Sequence, residues 1–469
     1  MAFNEIGFLF VFFPVVVALH AIMPMKGKNI LLLIASLVFF AWGSPEYLFL
    51  MVLIILYNFF SGLQIDHCFM EDDEAGAKRV LIASVVINLL MLGFFKYWGF
   101  LLDNVNALLG TSIPVRKLPM PIGVSFFTFS VLSYLYDVYR DKAPVATNIL
   151  DFSLYVTFFP KLVSGPIVQY NAMQSQIRSR KVSSIKFGRG ARLFLIGLAK
   201  KVLLANTLGT TFYAVTALPA DDVATVTAWI GAISYSLMLY FDFSGYSDMA
   251  IGLGEMFGFD FGKNFDYPYM AVSVTDFWRR WHISLGAWFR DYVYIPLGGS
   301  REGTGATIRN LCIVWLLTGI WHGANWTFLM WGVYYGILLI LEKFVFKKVV
   351  EILPDFIGRI LTVFLVIIGW VFFFSPSIGS AFMWLGRMFG FGGVGFMNAT
   401  ARYYLSGCWV LLIVAAVAAY PIGTKLSNEI YRHGPVPVYV STAWFVLLLV
   451  LCIAGMMSGT YSTFLYFQF

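Results

Sequence analysis

Long apolar stretches recur along the whole chain, and short polar segments separate them. A helix needs about 20 apolar residues to cross the ~30 Å hydrocarbon core of a bilayer, and several stretches reach that length. Others are shorter, so the pattern predicts roughly ten to twelve crossings together with re-entrant pieces. The stretches lie at 6–24, 29–42, 46–65, 80–102, 119–138, 149–170, 190–216, 225–257, 308–341, 355–375, 377–392, 404–422 and 437–458.

The series of apolar stretches also indicates how the chain is divided into domains. The first stretch has no basic segment before it and no clear small-residue cleavage motif, which indicates a membrane helix rather than a removable signal. No soluble segment, low-complexity linker or convincing internal repeat interrupts the series. We therefore expect residues 1–469 to form a single, all-α, membrane-embedded domain.

The stretch 308–341 does not fit one straight helix, because it is too long for a single crossing of a ~30 Å core. The segment 178–192 carries six basic residues and no acidic one, so we expect it in the cytoplasm. If the spans are counted from this cytoplasmic segment, a single crossing at 308–341 would place Lys343, Lys347 and Lys348 on the outer side of the membrane. A break near Gly319 and Gly323 would resolve both conflicts, and it would fall at His322.

The composition supports a membrane location. Hydrophobic residues make up 59% of the chain and charged residues 12%, whereas about a quarter of a typical soluble protein is charged. The net charge of +7 fits basic cytoplasmic loops and does not indicate nucleic-acid binding, since no soluble basic domain is present. The four cysteines are far apart and are interpreted as packing residues. We expect a multi-pass protein of the cell (inner or plasma) membrane, in contact with the lipid bilayer.

His322 lies within 311–341, where no Asp, Glu, Lys or Arg occurs. An ionisable side chain at membrane depth is costly and suggests function, and imidazole titrates near neutral pH, which suits a general base. The alternative is a histidine whose polar atoms are satisfied by an interhelical hydrogen bond. His20, His67 and His433 lie near a helix end or in polar loops and are interpreted as interfacial or solvated.

The segment 276–301 shows an aromatic and apolar stripe at helical spacing. Its members are Phe277, Trp281, Leu285, Trp288 and Tyr292. This spacing predicts one amphipathic helix in the membrane interface, with its arginines toward the headgroups. One interpretation is a plain interfacial anchor. The other is a helix that covers a reaction chamber, with arginines that bind the phosphates of a ligand.

Three acidic residues interrupt the apolar stretch 225–257. Asp242, Asp248 and Glu255 must face a polar cavity, a partner or the interface, because an uncompensated carboxylate in lipid is expensive. The arginines of segment 276–301 could serve as their partners. Roles in the scaffold and in catalysis both stay open.

The available chemistry is that of a histidine base. The chain has no Walker A loop, no GxSxG motif and no HExxH motif, and two histidines without a cysteine or carboxylate at ligand spacing make a poor zinc site. A donor that is already activated, such as a thioester, needs little more than a base that deprotonates an acceptor hydroxyl. Asn325 or a backbone N–H could then stabilise the oxyanion.

At the level of motifs, the chain resembles the bacterial branch of the membrane-bound O-acyltransferase family, whose members acetylate alginate or peptidoglycan or D-alanylate teichoic acid. The continuation YIPLGGSR is more similar to the acetylating members. The matching motifs are FFKYWGF (94–100), PIGVSFFTFSVLSYLYDVYR (121–140), FFPKLVSGPIVQY (158–170), FDFSGYSDMAIGLGEMFG (241–258), NFDYPYMAVSVTDFWRRWHISLGAWFRDYVYIPLGGSR (264–301), GIWHGANWTFLMWG (319–332) and FLYFQF (464–469).

The resemblance implies a ring of about eleven transmembrane helices, with re-entrant and interfacial helices, around a central funnel. It implies His322 of the WHG motif as the catalytic base and His282 of the RRWH motif as a second catalytic residue. The implied reaction moves an acyl group, expected to be acetyl, from a cytosolic acyl-CoA or acyl-carrier thioester toward an exported polysaccharide or its extracytoplasmic acetyltransferase partner. No bound cofactor and no metal are expected.

Eight further residues are predicted to bind the donor or line the channel. They are Trp278, Arg279, Arg280, Arg290, Trp321, Asn325, Asp242 and Ser244. Two other functions stay open: a polysaccharide or lipid flippase, which paired inverted halves would favour, and a non-catalytic membrane scaffold of an acetylation complex.

Overall fold

A computed structural model describes residues 2–115, 119–423, 429 and 435–458. Within these residues the secondary structure is helical and no β-strand occurs, as the sequence predicts. Nine helices of this part are long and apolar enough to span a membrane, by length and composition. The predicted count of about eleven spans is therefore not confirmed. The motif at 464–469 and His433 lie outside the described residues.

The first ten α-helices range from a single turn to 36 residues. They are α1 (Phe13–Ile22), α2 (Met25–Gly43), α3 (Leu48–Met70), α4 (Glu74–Leu109), α5 (Val124–Tyr139), α6 (Ile149–Thr157), α7 (Phe159–Leu162), α8 (Tyr170–Ser179), α9 (Ser184–Ala199) and α10 (Asn206–Thr216). Within the described residues, π-helical segments lie at Phe8–Phe12, Lys200–Ala205 and Arg290–Tyr294.

The remaining α-helices include those that carry the motif histidines. They are α11 (Thr225–Met256), α12 (Val274–Arg280), α13 (Ile283–Phe289), α14 (Thr304–His322), α15 (Trp326–Phe344), α16 (Lys347–Ile352), α17 (Asp355–Phe374), α18 (Ile378–Met388), α19 (Ala399–Ala418) and α20 (Pro435–Met457). Short 3-10 turns lie at Pro45–Tyr47, Ala220–Asp222 and Pro268–Met270.

The chain divides into two compact units. One comprises Met1–Phe194 and Asp248–Gly262, and the other Leu195–Ser247 and Lys263–Phe469. Both motif histidines belong to the second unit. A single functional domain over 1–469 stays a prediction.

A reciprocal amide pair joins two long helices of the first unit. Asn58 on α3 donates to Asn88 Oδ1 at 3.2 Å, and Asn88 on α4 donates back to Asn58 Oδ1 at 2.8 Å. Both side chains are buried. Such an amide pair satisfies polar groups at a crossing of apolar helices and ties the helices together.

In the second unit, a close approach of two helices brings a buried ion pair together. A Cβ atom at Gly245 would lie 2.7 Å from the carbonyl oxygen of Gly197, so the two backbones can meet only because glycine stands there. One turn from this contact, Lys201 Nζ lies 2.6 Å from Asp242 Oδ1. The two side chains are 1% and 3% exposed.

The predicted partners of the acidic residues are therefore wrong in two cases. Asp242 pairs with Lys201 in the π-helical segment that follows α9. Glu255, in the first unit, accepts a hydrogen bond from Arg189 of α9 at 2.8 Å. The sequence places these basic residues in an earlier stretch, and their proximity arises from the packing of α9 and its continuation against α11.

The break predicted within 308–341 is confirmed. Helix α14 ends at His322, Gly323 is extended, and Asn325 starts α15 by accepting a hydrogen bond from Thr327 N at 3.1 Å. Two helices of 19 residues replace the single long one. The break places His322 at the C-terminal end of α14.

Glycines hold α14 and α15 close together, and they provide a first prediction. A Cβ atom at Gly319 would lie 2.6 Å from the carbonyl oxygen of Phe328, a backbone atom that cannot move alone. We expect Gly319→Ala to lower the free energy of unfolding by about 1–3 kcal/mol, as overpacking does. Thermal unfolding in detergent measures the change.

The matched control lies on the same helix. Gly305 is helical, and no atom lies within 4 Å of the position that a Cβ atom would take there. Gly305→Ala should be neutral or raise stability by up to about 1 kcal/mol, because alanine has the higher helix propensity. Equal stability of the two variants would contradict the close approach of α14 and α15.

The prediction of one helix over 276–301 is wrong. Helix α12 ends at Arg280, α13 begins at Ile283, and a π-helical segment follows. The burial of the stripe is largely confirmed, since Tyr292 is half-buried and the other members are buried. Those buried members are Phe277, Trp281, Leu285 and Trp288.

The break between α12 and α13 coincides with hydrogen bonds to the preceding loop. In a continuous helix, Ser284 N would donate to the carbonyl of Arg280. Instead, Ser284 N donates to Asn264 Oδ1 at 3.1 Å, and the carbonyl of Arg280 accepts from Asp266 N at 2.9 Å. His282, at the break, has a left-handed backbone with φ of 45°. A preceding loop thus replaces the helical hydrogen bond, which the local periodicity cannot reveal.

Candidate active site

An open cavity of about 1150 Å³ lies in the second unit, among α12, α13, α14, α15 and α16. His282 and His322 both line it, together with Trp278, Arg279 and Arg290. Two motifs 40 positions apart in the chain therefore contribute to one space. A cavity of this size is large enough for an extended small-molecule ligand.

His322 sits in an aromatic enclosure that opens into this cavity. Its ring centroid lies 4.9 Å from those of Trp321 and Trp331 and 5.2 Å from that of Phe373. The residue is 4% exposed. In such an apolar environment, electrostatic interactions of the imidazole are stronger than in water.

His282 is also enclosed by aromatic rings. Phe243 packs edge-on at 4.6 Å between centroids, and Trp321 lies at 6.2 Å, so Trp321 packs against both histidines. His282 lies outside the membrane-spanning helices, and burial lowers its pKa to about 3. The imidazole is therefore neutral at physiological pH and has a nitrogen that can accept a proton or hydrogen bond.

Trp278 forms a rigid part of the cavity wall. Its ring lies 4.8 Å from Trp315, 4.8 Å from Tyr335 and 5.5 Å from Trp331, measured between centroids. All three contacts are edge-to-face, the favoured geometry for aromatic pairs. The wall next to His322 is thus fixed by packing between α12, α14 and α15.

The three predicted arginines differ in their contacts. Arg280 donates to the carboxylate of Asp276 at 2.9 Å, and Arg290 donates to that of Asp291 at 2.8 Å. Arg279 is exposed, lines the cavity and has no hydrogen-bond or ion-pair partner within the described ranges. Among these three, Arg279 is the guanidinium available to an anionic ligand.

Five of the predicted site residues, Arg280 among them, are not in the cavity lining. Trp321 packs against the rings of both His282 and His322 without lining the cavity itself. Asn325 caps α15 through its Oδ1, and one N–H of its Nδ2 donates to the carbonyl of Pro376 at 3.0 Å. Asp242 and Ser244 are buried on α11. Roles for these five in donor binding or in a channel stay predictions.

Sequence reasoning missed Glu342, which holds α12 in place. Its carboxylate accepts from Val274 N at 2.7 Å and from Thr275 N at 3.0 Å, so a residue of α15 caps the first turn of α12. The two contacts join positions 67 and 68 residues apart. The only sequence signal is that Glu342 directly follows the charge-free stretch, and it does not identify the partner.

The described residues contain no group of three or more His, Cys, Asp or Glu side chains placed to hold a metal ion. The two imidazoles lie in the cavity lining, and its charged residues are Arg279, Arg290, Lys343 and Lys347, together with the acidic Glu342 and Glu351.

Comparison with known proteins adds independent evidence. The chain matches MBOAT, the membrane-bound O-acyltransferase family, over residues 125–384, more than half of its length. It is 41% identical to the probable alginate O-acetylase AlgI of Pseudomonas syringae pv. tomato, over 89% of this chain and 80% of that protein. It is 32% identical to the peptidoglycan O-acetyltransferase of Helicobacter pylori, over 100% of this chain and 98% of that protein. Identity falls to 24% with the teichoic acid D-alanyltransferase of Bacillus subtilis, over 63% and 76% of the two chains.

Proposed function

Because the chain belongs to the membrane-bound O-acyltransferase family, we propose that it moves an acetyl group from a cytosolic thioester toward an exported polysaccharide, with His322 as general base. It is a multi-pass membrane acyltransferase. The observation that carries the proposed donor and base is that His282, His322 and Arg279 line one cavity. Within the described residues, Arg279 has no hydrogen-bond or ion-pair partner.

The charge of the cavity supports a cytosolic donor. Lys343 and Lys347 line its outer part, and Lys348 follows them in the chain. Because cytoplasmic segments of membrane proteins are rich in lysine and arginine, this part of the cavity is assigned to the cytoplasmic side. A coenzyme A thioester carries phosphates, which a guanidinium binds well, so Arg279 is assigned to the donor.

The reaction requires one base and no protein nucleophile. A nitrogen of His322 takes the proton of an acceptor hydroxyl as its oxygen attacks the thioester carbonyl. The tetrahedral intermediate collapses, the C–S bond breaks, and the thiolate leaves and takes the proton from the imidazolium. His282, neutral and in the same cavity, is assigned to orient the donor by a hydrogen bond.

The acceptor is proposed from the relatives. Two of them are named for alginate and for peptidoglycan acetylation. We assign the acceptor as a hydroxyl of an exported polysaccharide, reached directly or through a separate extracytoplasmic acetyltransferase. The greater identity to these relatives than to the D-alanyltransferase favours acetyl as the group transferred.

The donor assignment is tested with the purified protein, acetyl-CoA and a polysaccharide acceptor such as alginate, by following release of free CoA thiol. Arg279→Gln should raise the KM for acetyl-CoA by about 10-fold or more, since hydrogen bonds to charged groups contribute about 1.5–3 kcal/mol. The kcat should change little, because the guanidinium is assigned to the phosphates and not to the reacting atoms.

Two further arginines serve as comparisons. Arg301→Gln removes the same charge at an exposed position outside the cavity lining and should leave the KM unchanged. Arg280→Gln removes a contact within α12 and should lower thermal stability more than donor affinity. An equal KM for Arg279→Gln and Arg301→Gln would count against donor binding in this cavity, and absence of thiol release by the wild type would contradict the proposed function.

A further inference from the structure

His282 adopts a backbone conformation that its residue type rarely takes. Its φ of 45° and ψ of 54° lie in the left-handed region, where the Cβ atom of an L-residue is crowded. The aromatic stripe around it favours a continuous helix, in which residue 282 would be right-handed. Something outside this segment must therefore hold the break open.

The loop at 264–266 supplies the hydrogen bonds that the break removes from the helix. The carbonyl of Asn264 accepts from Ile283 N at 2.9 Å, and its side-chain Oδ1 accepts from Ser284 N at 3.1 Å. On the other side of the break, Asp266 N donates to the carbonyl of Arg280 at 2.9 Å. The groups that would close the helical turn around His282 are thus bonded to the loop.

The carboxamide of Asn264 is fixed on both of its ends. Oδ1 accepts a second hydrogen bond from Ser284 Oγ at 2.9 Å, and Nδ2 donates to Ser247 Oγ on α11 at 2.9 Å. The residue is 1% exposed. One side chain therefore ties the start of α13 to α11 without water access.

We propose that Asn264 is a positioning residue for acyl transfer, which keeps His282 left-handed so that its imidazole stays in the cavity beside His322. The proposal rests on the proposed role of His282 in the reaction. Without the carboxamide, Ser284 N loses its acceptor, only the backbone hydrogen bonds of the loop hold the break, and the imidazole of His282 is held less firmly in the cavity.

The variants Asn264→Leu and Asn264→Asp separate hydrogen bonding from packing. Leucine fills the space but accepts nothing. Aspartate accepts from Ser284 N and Oγ, and the Ser247 hydroxyl can rotate to donate to it. We expect Asn264→Leu to lower kcat by roughly 10-fold or more with the KM for acetyl-CoA within about twofold, and Asn264→Asp to restore most of the kcat, since misplaced catalytic geometry lowers kcat.

The decisive comparison is a double-mutant cycle with His282→Gly, read by kcat and by Tm. Glycine adopts the left-handed conformation without strain and has no imidazole to position. In this background, Asn264→Leu should cause no further loss of kcat, and its loss of Tm should be smaller than in the wild-type background. Both results follow only if Asn264 acts through residue 282.

A matched control is Asn88→Leu, which removes a buried amide in the first unit. It should lower Tm equally in both backgrounds and leave the kcat of the folded protein unchanged. If Asn264→Leu behaves like this control, Asn264 has a structural role only and the proposal is overturned.

The two proposals fail in distinguishable ways. No acetyl transfer by the wild type would contradict the proposed function, and the Tm cycle would then decide the role of Asn264 alone. Full kcat in His282→Gly would remove His282 from the mechanism and overturn both the role of His282 and the positioning role of Asn264. If Asn264→Leu lowers Tm equally in the wild-type and His282→Gly backgrounds, Asn264 does not act through residue 282, and this conclusion holds for any result of the kcat measurements.

Discussion

Replacing His322 with alanine is expected to lower the rate of acetyl transfer by about 10²–10⁴-fold, the usual contribution of a positioned general base. The imidazole lines the cavity from within an aromatic enclosure, and the stretch 311–341 holds no carboxylate, lysine or second histidine that could replace it. The KM for acetyl-CoA should change much less, because Arg279 remains. Initial rates of CoA release by purified variants, corrected for folded protein, measure the effect.

Two comparisons guard against loss of fold. His322→Gln keeps a polar side chain without a base and should be nearly as inactive as His322→Ala. His67→Ala removes an exposed histidine of the first unit that lies 3.5 Å from Glu71, and its rate should equal that of the wild type. A rate within a few-fold of wild type for folded His322→Ala would exclude His322 as the base.

The largest effect on stability is expected at the buried ion pair. Lys201→Met leaves the carboxylate of Asp242 buried without this ion partner, and Asp242→Leu does the same to the ammonium. Breaking a buried pair costs about 3–5 kcal/mol, whereas replacing both charges by apolar groups is often neutral. We therefore expect each single variant to unfold readily and the double variant Lys201→Met/Asp242→Leu to recover most of the stability.

Thermal and denaturant unfolding in detergent measure these differences. The control is Arg189→Met, which breaks the 2.8 Å pair with Glu255 at a site where the arginine is 62% exposed. That pair should contribute only about 0–1 kcal/mol, because solvent screens it. Single variants of the Lys201–Asp242 pair that lose no more stability than Arg189→Met would show that the pair is dispensable.

The sequence predicts those features that depend on local pattern. Its apolar stretches indicate an all-α membrane protein, and the excess length of 308–341 locates the break at His322. The stripe in 276–301 indicates which side chains are buried, because burial follows the helical repeat even where the helix is interrupted. The shared motifs predict that His282 and His322 act in the same reaction, and the structure shows that both line one cavity.

The features that the sequence does not predict depend on distant contacts. Asn264 breaks the helix at His282 through hydrogen bonds from another segment, so the periodicity alone favours a continuous helix. Glu342 caps α12 from α15, and Lys201 neutralises Asp242 from another helix. In each case tertiary packing brings together two polar groups that are far apart in the sequence, and the spacing of residues along the chain does not predict such pairs.

The most direct test of the account is label transfer in proteoliposomes. Labelled acetyl-CoA is supplied on one side of the membrane and a polysaccharide acceptor such as alginate on the other, and loss of label from CoA is followed for the wild type, His322→Ala and His282→Ala. The account predicts that label leaves CoA only with the wild type. Equal consumption by all three proteins would contradict it by showing that neither histidine is needed, and consumption by none would contradict it by placing the chemistry in a partner, with this chain as a conduit or scaffold.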